Sequence, residues 1–232
     1  MLGCTTELES LCLVMEYCRD GDLLEYLRNN RKDFLENCQK ANASATCSLT
    51  IERMLSYCWQ VCDGMCFLSS KHHIHRDLAA RNILLSGDAA KIGDFGLCRR
   101  LISADSVYTA HGGRLPLKWM APESIIDGIF TTQSDLWSFG VLLYEVFSLG
   151  KAPYPEIEPR HLANCLMAGH RMDKPQHCPS EVYSLMQKLW NGTPEERPCF
   201  QDVGLSLGRL MNLKAKHYGY LDPKDAEIFV RL

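Results

Sequence analysis

Residues 75–82 read His-Arg-Asp-Leu-Ala-Ala-Arg-Asn, and the fold can be worked out from this stretch in both directions. Before it, apolar residues recur every three or four positions from Ile51 to Leu68, which predicts a long helix capped by Ser48 or Thr50. After it, short apolar runs flank a turn at 87–88, which predicts a pair of small strands. The polar stretch is therefore expected on a loop held between a helix and a strand.

Three side chains on and beyond this loop carry oxygen atoms that are suited to binding a metal ion or accepting a proton. Asp77 and Asn82 lie five positions apart, and Asp94 follows the second predicted strand. A small set of hard oxygen ligands suits Mg²⁺, which keeps several waters and binds phosphate oxygens. We therefore expect Asn82 and Asp94 to bind Mg²⁺, and Asp77 to accept a proton from a substrate hydroxyl.

Two further motifs follow in order, Asp-Phe-Gly at 94–96 and Ala-Pro-Glu at 121–123. Together with residues 75–82, they resemble the ordered signature of protein kinases, and the resemblance covers essentially the whole chain. It implies an α+β kinase-like fold, with a mostly helical C-terminal lobe and only the last strands of the small lobe. It also implies transfer of the γ-phosphoryl group of ATP, with ATP and Mg²⁺ as cofactors.

The resemblance divides the chain into three parts. Residues 1–18 are expected to form a remnant of the small lobe and the hinge, residues 19–214 the C-terminal lobe, and residues 215–232 a tail. Within the lobe, the polar segment 29–47 has no sustained apolar period and is predicted to be a mobile surface insert, and 94–123 is predicted to be a long irregular activation segment. Further helices are predicted at 134–149, with Ser134 and Asp135 as the cap, and near 159–168, 180–190 and 200–214.

The resemblance also assigns roles to single residues. The catalytic loop contributes Asp77, Arg81 and Asn82. The adenine site is expected to use the gatekeeper Met15, the backbones of Glu16 and Cys18, and Leu84 beneath the ring. Asp135 is expected to hydrogen-bond the backbone of the catalytic loop, and Arg197 to pair with Glu123. A phosphate on Tyr108 would lie close to Arg76 and order the loop.

Two segments are similar to tyrosine kinases and differ from most serine/threonine kinases. They are Ala79-Ala80-Arg81 and the Leu-Pro-Leu-Lys-Trp-Met run at 115–120. The second is expected to form a platform that admits a long phenol. Receptor kinases are indicated by further segments at 16–18, 21–24, 105–108, 114–116 and 147–150 and by the insertion after Arg28. These segments resemble receptors of the platelet-derived growth factor and stem-cell factor type, although the insert is much shorter than theirs. A fibroblast-growth-factor type or an otherwise divergent receptor is the alternative.

Receptor resemblance implies a cellular setting. The parent protein is expected to be a single-pass receptor that dimerises, with this part on the cytoplasmic side of the plasma membrane. Its partners would be protein tyrosine substrates and phosphotyrosine-binding adaptors. Tyr218 and Tyr220 are interpreted either as docking sites for such adaptors or as aromatic residues packed against the lobe.

Composition agrees with a globular domain. The chain has 232 residues, 46% of them hydrophobic, and a net charge of -3 without a basic tract, so it is neither disordered nor suited to nucleic acid. The twelve cysteines are expected to be reduced thiols. Cys58, Cys62 and Cys66 recur at helical spacing, which favours burial in the core over metal binding.

Kinases also need a glycine-rich phosphate loop and a strand lysine that pairs with a helix glutamate, and none of these is found in this sequence. We therefore expect an incomplete nucleotide site and little or no phosphoryl transfer by these 232 residues alone. The alternative hypothesis is a non-catalytic, kinase-like binding module that competes with a full-length kinase.

Overall fold

The structure is a computed structural model that describes residues 3–5, 12–39, 49–103, 106–110 and 115–211. Eight α-helices lie in these ranges. In chain order they are α1 Leu23–Asn29, α2 Arg31–Gln39, α3 Ile51–Ser70, α4 Pro122–Ile126, α5 Thr132–Phe147, α6 Pro159–Met167, α7 Ser180–Leu189 and α8 Phe200–Leu210. The predominance of helix confirms the α+β class with a mostly helical lobe.

Strands in the described ranges are short and pair in antiparallel twos. The pairs are β1 Gly3–Cys4 with β2 Leu13–Val14, β3 His73–Ile74 with β6 Arg99–Arg100, β4 Ile83–Ser86 with β5 Ala89–Ile92, and β7 Tyr108–Thr109 with β8 Ile129–Phe130. The β4–β5 pair confirms the strands predicted on either side of the turn at 87–88.

Helix α3 delivers the chain to residues 75–82, as the sequence predicted. Thr50 is its N-cap, because the hydroxyl of Thr50 accepts a hydrogen bond from the backbone N–H of Arg53. Cys58, Cys62 and Cys66 are at least 98% buried. Burial raises the pKa of the Cys58 and Cys62 thiols, so they remain protonated core residues.

Helix α5 runs through the middle of the lobe and is buried around most of its circumference. The predicted cap was wrong by a few residues, since Thr131 is the N-cap and forms a reciprocal capping box with Ser134. Asp135 instead lies inside the first turn and is 1% exposed. A cap position would have left its carboxylate at the helix end, whereas this placement turns it toward the catalytic loop.

The surface insert predicted at 29–47 contains a helix in its first half. Residues 31–39 form α2, in which Phe34 is 4% exposed and packs edge-on against the ring of His177 at a centroid distance of 5.5 Å. Phe34 and the partly buried Leu35 pack this polar helix against the core, and two adjacent apolar residues are too weak a signal for a periodicity search. Residues 40–48 lie outside the described residues.

The activation segment, predicted as irregular, contains regular pieces. Its two strands β6 and β7 pair with β3 and β8, and single 3-10 turns occur at Phe95–Leu97 and Leu117–Trp119. Two-residue strands are invisible to sequence patterns, because an alternating period needs four or more residues. These pairings attach the described parts of the segment to the lobe on both sides.

Some sequence predictions fall on residues that the structure does not describe. They are Ser48, the whole tail at 215–232 with Tyr218 and Tyr220, and the end of the helix predicted at 200–214, of which the structure describes α8 to Leu210. Within the described ranges, none of the helices combines the length and the apolar character that crossing a bilayer would require.

Two helical glycines offer a matched test of the packing. A Cβ atom at Gly140 in α5 would lie 2.6 Å from Nε1 of Trp190, whereas one at Gly208 in α8 would lie 3.6 Å from Nε1 of Trp59. We expect Gly140→Ala to lower the free energy of unfolding by about 1–3 kcal/mol through overpacking. Gly208→Ala should leave it unchanged or raise it by about 0.5–1 kcal/mol, since alanine favours helix. Urea denaturation measures both, and equal effects would contradict the packing described around α5.

Candidate active site

The backbone of the catalytic loop, residues 75–82, is held by a buried carboxylate. Asp135 Oδ2 accepts a hydrogen bond from the N–H of His75 at 2.7 Å, and Oδ1 accepts one from the N–H of Arg76 at 2.9 Å. Arg76 has a φ of 70°, in the left-handed region that residues with a side chain rarely adopt. The two bonds hold this strained residue, and Asp77 follows it directly.

His75 ties the loop to the segment that carries Asp94. Its ring is buried, with Nε2 3.0 Å from the carbonyl oxygen of Gly93 and Nδ1 accepting from the N–H of Asp77 at 3.3 Å. A carbonyl can only accept, so the proton lies on Nε2 and the ring is neutral. The histidine therefore acts as a spacer between the two segments.

The β4–β5 register brings Asn82 and Asp94 to the same end of the strand pair. Ile83 pairs with Ile92, so Asn82 and Gly93 face each other just beyond, where the N–H of Gly93 donates to the carbonyl oxygen of Asn82 at 2.7 Å. Asp94 comes next, in a left-handed conformation with a φ of 50°. The two residues predicted as magnesium ligands therefore lie at the same end of the strand pair.

The side chains of this pair are arranged with acceptor oxygens available. The amide nitrogen of Asn82 donates to the carbonyl oxygen of Asp77 at 2.7 Å, so its amide oxygen is not the atom used in that bond. Asp94 Oδ1 accepts from the N–H of Gly96 at 3.2 Å. Among the described residues there is no group of three or more His, Cys, Asp or Glu side chains placed to hold a metal. A metal here would need ligands such as phosphate oxygens and water, as Mg²⁺ sites do.

Asp77 forms an ion pair with Arg81, four residues further along the loop. The guanidinium carbon of Arg81 lies 4.4 Å from the ring centroid of Trp119, in the segment that was expected to form a substrate platform. A cation placed over the face of an indole ring is attracted to the ring's electrons, so this cation–π contact is favourable. The candidate base is therefore linked through one arginine to the platform.

A second buried carboxylate from α5, Glu145, supports the same arrangement. One oxygen, Oε2, accepts both from the backbone N–H of Ala80 and from Nε1 of Trp119, each at 2.9 Å. Glu145 is 1% exposed, and burial raises its pKa above the usual value. The carbonyl of Trp119 is held as well, by the hydroxyl of Ser138 at 2.8 Å. The central helix therefore positions the platform and the catalytic loop together.

The end of the activation segment is fixed by the arginine expected there. Arg197 donates to Glu123 through both terminal nitrogens, at 2.6 and 2.9 Å, and it also donates to the carbonyls of Asn191 and Gln133. The side chain of Arg197 is fully buried and that of Glu123 is 14% exposed. A planar bidentate pair of this kind is costly to break from one side.

Tyr108 lies against two arginines. The guanidinium carbon of Arg76 is 4.6 Å from its ring centroid, and that of Arg99 is 5.7 Å away. A hydrogen bond from Arg99, together with the charges of both arginines, lowers the pKa of Tyr108. The phenol of the predicted switch residue is therefore already surrounded by cations, of which Arg99 had not been predicted.

The residues predicted for the adenine site occupy the connector beside β4. The backbone at Asp20 and Gly21 is hydrogen-bonded to Leu85, which brings the connector after Cys18 alongside the strand that carries Leu84. Met15 is 61% exposed, and Glu16 forms an ion pair with Lys91. Leu84 is half-buried and borders Gly93. Their role in binding adenine stays a prediction.

The comparisons with known proteins agree with this geometry. The family model described as "Protein tyrosine and serine/threonine kinase" matches residues 1–207. The chain therefore belongs to the family of protein tyrosine and serine/threonine kinases.

Its relatives include tyrosine kinases. Over 223 residues, the chain is 47% identical to a Caenorhabditis elegans protein named as a putative tyrosine-protein kinase, covering 95% of this chain and 26% of the relative. It is 44% identical to fibroblast growth factor receptor 1 of Xenopus laevis and 43% identical to that of Pleurodeles waltl, each over 96% of this chain and 27% of the relative. The chain thus spans about a quarter of the length of these curated relatives.

Sequence reasoning missed Glu145 and the link from Trp119 to Arg81. Glu145 stands in an otherwise apolar helix face, between Tyr144 and Val146, so a charged residue in a fully buried helix was the available signal. Such a residue needs partners, and the partners lie 65 and 26 positions away in sequence. That separation cannot be read from local patterns.

The role of Glu145 can be tested with two substitutions. Glu145→Gln places an amide oxygen where Oε2 accepts both bonds, so we expect the free energy of unfolding to change by less than about 1 kcal/mol. Glu145→Leu leaves two buried donors without an acceptor and should cost about 2–6 kcal/mol, at 1–3 per unsatisfied group. Urea denaturation measures both variants, and a glutamine variant as unstable as the leucine variant would contradict the assigned hydrogen bonds.

Proposed function

We propose that the chain is the large lobe of a protein-tyrosine kinase, which transfers the γ-phosphoryl group of ATP to the hydroxyl of tyrosine in proteins. The observation that carries the proposal is the stack of Arg81 on Trp119 while Arg81 pairs with Asp77. This unit links the candidate base to an aromatic side chain through one arginine, which suits an acceptor whose hydroxyl lies at the far end of a phenol ring. Relatives named as tyrosine kinases agree with this reading.

In the proposed reaction, the tyrosine oxygen bonds to the γ-phosphorus as the bond between that phosphorus and the β–γ bridging oxygen of ATP breaks. ADP leaves, and Asp77 accepts the proton of the tyrosine hydroxyl. Arg81 holds the carboxylate of Asp77 in place and keeps its charge oriented toward the platform. Asp135 fixes the backbone from which Asp77 projects. The residues thus contribute mainly positioning and charge, as phosphoryl transfer requires.

Asn82 and Asp94 would hold Mg²⁺, because both offer oxygen donors at the same end of the β4–β5 pair. When bound, Mg²⁺ would neutralise the negative charge that develops on the phosphate oxygens. The carboxylate of Asp94 stays accessible for this role, with its Oδ1 bonded only to the N–H of Gly96 among the described hydrogen bonds. Leu84 and the connector near Cys18 would contact the adenine.

A peptide assay tests the proposed function directly. The full-length protein should phosphorylate a tyrosine peptide and leave the matched serine peptide unmodified. Asp77→Asn preserves the shape of the side chain but removes proton acceptance, and it should reduce kcat by about 100-fold or more, the usual contribution of a general base. Asp127→Asn, an exposed aspartate outside the site, serves as the control. Equal turnover by Asp77→Asn and Asp127→Asn would refute the assignment of the base.

Tyr108 is proposed to be a phosphorylated switch, since a phosphate there would meet Arg76 and Arg99. Mass spectrometry after incubation with ATP should find Tyr108 modified. Tyr108→Phe keeps the ring contact with Phe130 but cannot be phosphorylated, and it should lower kcat by about tenfold, as expected for one charge-assisted contact. Unchanged kcat in Tyr108→Phe after full incubation would exclude the switch.

The relatives named as fibroblast growth factor receptors support a receptor setting. We place the lobe on the cytoplasmic side of the plasma membrane in a single-pass receptor that dimerises, with tyrosine-bearing proteins and phosphotyrosine-binding adaptors as partners. The fibroblast-growth-factor type has the support of these relatives, and the platelet-derived growth factor and stem-cell factor type rests on sequence resemblance. Sequencing of the encoding transcripts tests the receptor setting, since we expect at least one of them to encode a transmembrane segment. The absence of such a segment from every transcript would contradict the receptor setting.

A further inference from the structure

The platform at 115–120 is a short turn that depends on the lobe for its orientation. Its backbone N–H groups donate within the turn, from Leu117, Trp119 and Met120 to carbonyl oxygens two or three residues earlier. Bonds of this kind shape the turn but do not attach it to its neighbours. Among the described residues, three hydrogen bonds made by side chains join the platform to the rest of the lobe.

Two of these three bonds end on the same platform residue. Helix α5 supplies both, since Glu145 accepts from Nε1 of Trp119 at 2.9 Å and the hydroxyl of Ser138 donates to the carbonyl of Trp119 at 2.8 Å. Leu117 also packs against the core, but apolar contact is non-directional. A turn attached by directional bonds at one residue can still pivot about it, so the third bond sets its orientation.

Lys118 makes the third bond, to a rigid point outside α5. Its ammonium group donates to the carbonyl oxygen of Tyr154 at 2.8 Å, in the loop between α5 and α6. Tyr154 is 3% exposed and has a φ of 45°, in the left-handed region that residues with a side chain rarely adopt. Such a residue persists only where its surroundings fix it. Lys118 therefore attaches the platform through a second residue to a second, fixed element.

The loop between α5 and α6 keeps its structure without this bond. The N–H of Ile157 donates to the same carbonyl of Tyr154 at 3.2 Å, so the acceptor stays paired if the lysine is replaced. The side chain of Tyr154 belongs to the hydrophobic core, whereas residues 115–119 of the platform are only half-buried. Loss of the ammonium group therefore affects the platform more than the stability of the lobe.

We propose that Lys118 is a positioning residue for the protein substrate. By fixing the platform to the carbonyl of Tyr154, it holds in place the surface against which the tyrosine-bearing segment lies. Trp119 keeps its two bonds to α5 without Lys118, and so keeps its stack with Arg81. The effect therefore falls on substrate binding and leaves the base in place. The inference rests on the proposed tyrosine kinase function and adds a residue that acts on the substrate through the platform.

The test compares Lys118→Met and Lys118→Arg in the full-length protein. In Lys118→Met we expect KM for a tyrosine peptide to rise by about tenfold, the effect of one charge-assisted contact, while kcat and the KM for ATP stay close to the wild-type values. A purely structural role would instead reduce the folded fraction, which lowers kcat and leaves KM unchanged. Lys118→Arg keeps a cation that can donate to the carbonyl of Tyr154, and it should restore KM.

Two controls make the result specific. Lys188→Met makes the same change at an exposed position of α7 outside the site and should leave KM unaltered. A fluorescent peptide with phenylalanine in place of the tyrosine needs no phosphoryl transfer. Its affinity, measured by anisotropy, should fall about tenfold in Lys118→Met and recover in Lys118→Arg.

Phosphorylation of the tyrosine peptide by the wild-type protein reports the kinase function separately from these comparisons. Equal KM and equal peptide affinity in the wild-type protein and Lys118→Met would overturn the role of Lys118. A Lys118→Arg variant as impaired as Lys118→Met would overturn it as well.

Discussion

The candidate site depends on a carboxylate that accepts two backbone hydrogen bonds inside the lobe. Asp135 is 1% exposed, and burial raises its pKa, while the bonds from Arg76 and His75 favour its charged form. Burying a charge is costly unless its hydrogen bonds are made, so the loop and the helix specify each other. Without this acceptor, the left-handed backbone at Arg76 would lose the contact that holds it, and Asp77 would lose its direction.

Helix α5 provides this support twice. Asp135 holds the beginning of the catalytic loop, and Glu145, ten residues later, holds Ala80 in the loop and Trp119 in the platform. A helix surrounded by apolar neighbours is a rigid element, and side chains projecting from it vary little in position. The base and the platform are therefore set relative to one scaffold, and the ion pair of Arg81 with Asp77 closes the arrangement.

Much of this arrangement could be predicted from the sequence, and the reasons are local. The long helix before residue 75 has a clear apolar period, and the strand pair at 83–92 flanks a clear turn. The polar residues of the loop were recognised because their order matches a motif. Helix α2 was not predicted, since its core contacts Phe34 and Leu35 are adjacent in sequence and give no sustained helical period. Glu145 was missed because its partners are brought to it by the tertiary fold.

Turnover of Asp135→Asn tests the central claim most directly. The amide keeps the size of the side chain, but its nitrogen would face a backbone N–H and cannot accept from it. Losing one of the two bonds should shift the loop, so we expect kcat for a tyrosine peptide to fall by about tenfold or more, corresponding to at least 1.4 kcal/mol of barrier. The KM for ATP should change much less, because the residues predicted to contact adenine lie on other segments. A kcat equal to that of the wild-type protein would contradict the account.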